Sequence, residues 1–133
     1  MSSKVETSTP ANTMAPVGPY SHIAKVGQFI TIGAIAGVDP ASGELAGPDI
    51  ESQTTLIIDA FRIMLESVGS DLDHIIHINV FLADMQNFAR MNAAYVEKMG
   101  ECRPARTAIS VTGLPKPGAL LTMNLTAVTR DGG

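Results

Sequence analysis

Apolar and polar positions follow several different periods along this chain, and the changes of period mark its elements. Residues 1–15 are rich in Ser, Thr, Ala and Pro with no periodicity, so they read as an N-terminal arm. Ser21 to Val26 and Phe29 to Ala34 form two short β-like runs split by Gly27-Gln28, the pattern of a hairpin. Gly37 to Asp49 holds three glycines and two prolines and reads as a loop. Ile57, Phe61, Met64, Leu65 and Val68 then recur at helical spacing, with Asp49 placed as N-cap, Glu51 near the positive dipole end and Gly69 as C-terminal stop.

Ile75 to Leu82 is a β-branched run dense enough to predict a strand buried on both faces. Asp84 is expected to cap a second helix that ends before Gly100, its apolar face made of Phe88, Met91, Tyr95 and Met99. Ala105 to Val111 and Leu120 to Thr129 read as closing strands around a turn containing Pro115-Lys116-Pro117-Gly118. The predicted order is ββαβαββ: one α+β domain over 16–130, a mixed sheet with two helices on one face, and a tail at 131–133. In the last strand, alternation puts Leu121, Met123, Leu125 and Ala127 on one face and Thr122, Asn124 and Thr126 on the other. The second set is polar yet uncharged, which suits a subunit contact or a pocket wall.

Composition sharpens that last point. Only 17% of the 133 residues are charged, against about 25% in ordinary soluble domains, while 45% are hydrophobic. Such a shortage of charge is a hint that part of the surface is covered by another subunit. No run approaches the roughly 18 apolar residues of a membrane span, and the polar start has no signal-peptide core. A lone Cys102 cannot form an internal disulfide, so a reducing, cytoplasmic setting is expected. The net charge of −4 argues against nucleic acid as the main partner.

Arg106 is the most informative charge. It opens a strand of small and apolar residues, where its planar fork could hold a carboxylate bidentately; it could equally snorkel to the sheet edge or pair with Glu101. Asn92 interrupts the apolar face of the second helix and must bond a backbone group or a ligand. Tyr20, after Gly18-Pro19, could set a phenol at a pocket mouth or simply pack. His74 and His77 point to opposite faces and His22 is distant, so no metal site is expected. Cys102 has no activating base in sequence and reads as inert.

Several segments in order resemble the Rid family, also called YjgF or L-PSP proteins. They are Pro16-Val17-Gly18-Pro19-Tyr20-Ser21, Gly33 through Asp39-Pro40-Ala41-Ser42-Gly43, and Val80-Phe81-Leu82-Ala83-Asp84-Met85 with Phe88, Asn92 and Tyr95. Arg103-Pro104-Ala105-Arg106 and Leu114-Pro115-Lys116 complete the set. The resemblance implies a chorismate-mutase-like homotrimer with clefts between subunits. It implies a cofactor-free enamine/imine deaminase that hydrolyses small 2-imino or 2-enamino acids to 2-oxo acids and ammonia. Arg106 would grip the substrate carboxylate, with Tyr20, Gly33 and Asn92 bordering the cleft. The glutamate expected on the final strand falls on Thr122, left to orient water by its hydroxyl. The expected cysteine is Ala108, the serine before Gly33 is Ile32, and the glutamine after it is Ala34. The readings are therefore a hydrolase weakened or altered in substrate range, a non-hydrolytic relative binding a 2-oxo acid, or other imine chemistry in a dedicated pathway. His22 and Glu101 are the titratable groups near enough to replace the glutamate, and both read as surface residues.

Overall fold

The computed structural model describes residues 4–131; the predicted ends at 1–3 and 132–133 lie outside the described residues. The elements are β1 (Glu6–Ser8), β2 (Ile23–Val26), β3 (Phe29–Ile35), α1 (Ile50–Ser67), β4 (Ile75–Leu82), α2 (Phe88–Met99), β5 (Ala105–Ser110) and β6 (Leu121–Val128). The six strands form one sheet in the order β1-β2-β3-β6-β4-β5. Only β4 and β5 run parallel, joined by the crossover helix α2; the other pairs are antiparallel. The predicted α+β class holds, with one strand more than the sequence pattern indicates. Glu6, Thr7 and Ser8 pair with Lys25, Ala24 and Ile23, so part of the arm belongs to the sheet. Three exposed polar residues carry no apolar alternation to betray them; backbone pairing alone makes this strand.

The hairpin turns where expected. Gly27 adopts φ 58°, and Val26 pairs with Phe29 across the two-residue loop. Asp49 caps α1 as read, its carboxylate accepting from the Ser52 backbone N–H at 2.9 Å. Ile57, Phe61, Met64 and Leu65 of α1 are buried against the sheet and α2. Each such side chain contributes about 1.5–3 kcal/mol by leaving water. Met91, Tyr95 and Met99 complete the layer from α2. The helices are also tied at their surface by Arg90 on Glu51, at 2.6 and 2.7 Å, and by Lys98 on Asp59 at 2.7 Å.

Two expectations need correction. Asp84 does not cap the long helix: its carboxylate accepts from Gln86 N–H and caps a single 3₁₀ turn at Met85–Asn87. The helix proper starts at Phe88 with no side-chain cap, because the turn's own carbonyls lead into it. And β4 is buried on one face only. Ile75, Ile78, Val80 and Leu82 meet the helices, while Ile76 is 46% exposed on the other side. Its apolar run reflects a sheet whose second face is covered by no second layer among the described residues.

Candidate functional site

The face of the sheet away from the helices carries the site. On β2 and β3 the paired Ile23 and Ile32 are buried toward the helices. The next pair along, His22 and Gly33, is joined by the Gly33 N–H donating to the His22 carbonyl at 3.0 Å and so faces the other way. The register of β3 on β6 then shifts between Ile32 and Ile35, a bulge that accommodates Gly33 and Ala34 together. A Cβ placed on Gly33 would meet nothing within 4 Å, so this stretch of strand opens onto free space. Thr122 on β6, between the inward Leu121 and Met123, lies on the same outer face.

Over this face the arm and the loops enclose a cleft of ≈ 280 Å³. Its walls include Met14, Pro16, Val17, Tyr20, Ala34 and Val38, with His22, Lys116 and Thr122 as polar members. Tyr20 stands at the rim, 43% exposed, its hydroxyl oxygen accepting from Val17 N–H at 3.2 Å. Lys116 reaches across to the Gly43 carbonyl at 3.2 Å, closing the loop side.

His22, read as a surface residue, is buried: 2% exposed, with Tyr20 edge-on at 5.8 Å between ring centroids. Its Nε2 lies 2.8 Å from the Met14 carbonyl oxygen. A carbonyl can only accept, so Nε2 carries a hydrogen, and in the neutral ring Nδ1 is then a bare acceptor. That nitrogen is buried without a partner among the described residues. An unmet buried acceptor of this kind costs about 1–3 kcal/mol. Sequence reading misses it because the polar Ser21-His22 step resembles a solvated turn; only the strand pairing and the returning arm cover it.

The other expected residues sit elsewhere in the chain. Arg106 pairs with the buried Ile78 and therefore lies on the helix side of the edge strand β5. Its guanidinium stacks 4.8 Å from the Tyr95 ring centroid and 5.7 Å from that of Phe88. Burial pushes the Tyr95 phenol above its ordinary value, so the ring meets Arg106 in its neutral form. Among the described residues Arg106 has no acidic partner; the alternative pairing with Glu101 is absent, and Glu101 is exposed. Asn92, one turn from both aromatic residues, has its Oδ1 buried and unpartnered, so the bracing bond expected of it is not made through this oxygen. Four strand spacings separate β2 from β5, roughly 19 Å across the sheet. Within one chain, then, Tyr20, Ala34 and Thr122 come together, whereas Arg106 and Asn92 form a second locus at the far edge.

No group of metal-binding side chains occurs among the described residues. His74 Nδ1 bonds Asp71 at 2.6 Å, and His77 Nε2 approaches the Thr107 hydroxyl at 3.1 Å. Cys102 donates its thiol hydrogen to Asp73 at 2.8 Å; that bond, with burial, pushes the thiol pKa up to about 11 and keeps it unreactive.

The family model described as endoribonuclease L-PSP matches residues 10–129, nearly the whole chain. The chain belongs to this family. Relatives within it carry several names. A RutC family protein of Pyrococcus horikoshii is 41% identical over 105 residues, covering 79% of this chain and 83% of the relative. The 2-iminobutanoate/2-iminopropanoate deaminase of Bos taurus is 33% identical, covering 81% and 79%. The crystal structure of RidA from the Antarctic bacterium Psychrobacter sp. superposes with a TM-score of 0.87 at 30% identity, covering 92% of this chain and 98% of that one. Relatives of this chain thus carry both deaminase and generic family names, and the RidA structure shares its fold. No helix among the described residues is long and apolar enough to cross a membrane.

Proposed function

We propose that the protein is a cofactor-free hydrolase that converts small 2-imino and 2-enamino acids to 2-oxo acids and ammonia, acting as a cytoplasmic homotrimer. One observation carries the reading: the Arg106 guanidinium is held between two aromatic rings with no carboxylate neutralising it. A rigid, unpaired fork is suited to a substrate carboxylate. The two loci of the site supply the rest. In a trimer, Arg106 and Asn92 of one subunit would stand beside the cleft of Tyr20, Ala34 and Thr122 on the next, with Gly33 bordering it. The exposed apolar residues of the outer sheet face, Phe29 and Ile109 among them, support such an assembly.

The chemistry asks little of the protein. An iminium carbon is already electrophilic, so fixing the carboxylate and a water on the correct side lowers the barrier chiefly through orientation. The Thr122 hydroxyl would hold that water. Met14, Pro16, Val17 and Val38 give the cleft apolar walls, which favours a hydrocarbon side chain on the substrate. The homology to a 2-iminobutanoate/2-iminopropanoate deaminase supports the same substrate class. The test generates 2-aminoacrylate in situ and follows its decay. The protein should accelerate it, and Arg106→Ala should reduce kcat/KM at least about 100-fold, the loss of a charge-assisted pair of about 3 kcal/mol. Full activity in R106A would overturn the assignment.

A second reading has its own observation. Among the described residues no carboxylate lines the cleft, and Thr122 stands where hydrolysing relatives are expected to carry glutamate. On that reading the protein binds 2-oxo acids without turnover. Calorimetry with pyruvate, run beside the decay assay, separates the two: binding without acceleration selects the second.

A further inference from the structure

We propose that His22 is the general base of this cleft, its Nδ1 accepting the proton of the water that attacks the imine carbon. The inference rests on the deaminase reading above and deepens it. Three observations carry it. His22 shares the cleft with Tyr20 and Thr122, the residues placed there by the proposed reaction. Its Nε2 is committed to the Met14 carbonyl, which fixes both ring orientation and tautomer. Its Nδ1 is a buried acceptor left without any donor among the described residues. Nδ1 lies beneath the cleft surface, so the base role requires the attacking water to enter beside the ring and donate to it.

The same anchor serves the charged state. When Nδ1 takes a proton, Nε2–H still points at the Met14 carbonyl, whose dipole favours the imidazolium, much as an orienting acceptor does in other histidine bases. The steps balance. Water oxygen bonds to C2 of R–C(=NH₂⁺)–CO₂⁻ while one of its protons passes to Nδ1, giving a neutral carbinolamine. The imidazolium returns that proton to the amine, the C–N bond breaks, and ammonia leaves. The hydroxyl proton passes to Nδ1 as C=O forms, and then to the departing ammonia as ammonium. No oxidant, metal or cofactor enters.

Few charges surround this ring. Tyr20 and Lys116 are the other titratable groups lining the cleft. On the strands beside it, Lys25 projects to the opposite face of the sheet by alternation and pairs in register with Glu6 of β1. Among the described residues no carboxylate lines the cleft to compete for the proton.

The experiment measures kcat/KM for 2-aminoacrylate from pH 5 to 9, with uncatalysed decay subtracted, in the wild type and in His22→Gln. Glutamine can keep a donor toward Met14 but supplies no base. A base at His22 predicts an acid limb in the wild-type profile. H22Q should lose that limb and fall about 10²–10⁴-fold in kcat, with KM and pyruvate Kd changed less than about 3-fold. If the wild type accelerates decay and H22Q matches it in rate and pH profile, the assignment of His22 fails while the deaminase reading stands. If the wild type accelerates no imine, both fail. The next readout needs no variant, so poor folding of H22Q cannot shelter the assignment. Nitrogen-15 spectra of the imidazole supply an independent readout: Nε2 protonated, Nδ1 bare, and Nδ1 shifting when pyruvate is added. The opposite tautomer would also overturn it.

Discussion

At the scale of single residues, the neighbours of a side chain decide its chemistry. Cys102 and His22 are both polarisable, titratable groups, yet the first is quenched by a hydrogen bond to Asp73 and the second is left with an unused acceptor. A thiol pushed up to about 11 holds little thiolate at neutral pH. Alkylation of Cys102 by iodoacetamide at pH 8 should therefore run about 100-fold slower than for an ordinary thiol, and Asp73→Asn should restore most of the rate. Equal rates in the two proteins would show that the Asp73 bond does not govern the thiol. Arg106 makes the same point in reverse. Its identity was readable, as was its place on a strand of small residues, but the aromatic seat that keeps it unpaired comes from α2.

Elements report how local signals combine. The N-cap of α1 was legible because Asp49 and Ser52 lie three apart and need nothing distant. Bonds from the Ser52 backbone N–H and hydroxyl hold the Asp49 carboxyl below its usual range. A folded-state pKa that is depressed adds stability above the ordinary carboxylate value, and that contribution is lost as pH falls through the lower, folded value. Asp49→Ala should lower Tm by about 3–5 °C at pH 7, and the gap should close below about pH 4. Thermal melts across that range check it; a gap that widened in acid would contradict the cap. By contrast, the bulge at Gly33-Ala34 has no strong local signature, since it arises from the register of β3 on β6. The same holds for Gln53, fully buried in α1, whose amide spans to the carbonyl of Gly47 and the N–H of Leu120. Helical periodicity marks position 53 only as one more polar residue.

For the molecule as a whole, the outer face of the sheet is the open question that composition raised. Phe29 is 53% exposed and Ile109 47% exposed on a face also carrying Thr31, Asn79, Asn124 and Thr126. Asn79 donates its Nδ2 to the Asn124 Oδ1 there at 2.9 Å, pairing one group of each amide on this face. Light scattering should give about three times the 14.0 kDa of one chain, and Ile109→Asp should shift it toward a single chain. If activity needs Arg106 from a neighbouring subunit, the same variant should lose turnover while retaining the far-ultraviolet spectrum of a folded domain. A fully active monomer would show that one chain suffices.

The sequence by itself determined the class of fold, most element positions, the hairpin turn, the cap of α1 and the family. These depend on periods of 2 and 3.6 residues and on contacts a few positions apart, so they can be read along a line. Tertiary structure alone decided that residues 6–8 extend the sheet, that one face of β4 stays open, and that His22 is buried. It also decided that Tyr20 and Thr122 share a cleft which Arg106, at the far edge, does not enter. Each of these follows from which strands become neighbours, a choice made by long-range pairing and packing that local spacing does not encode.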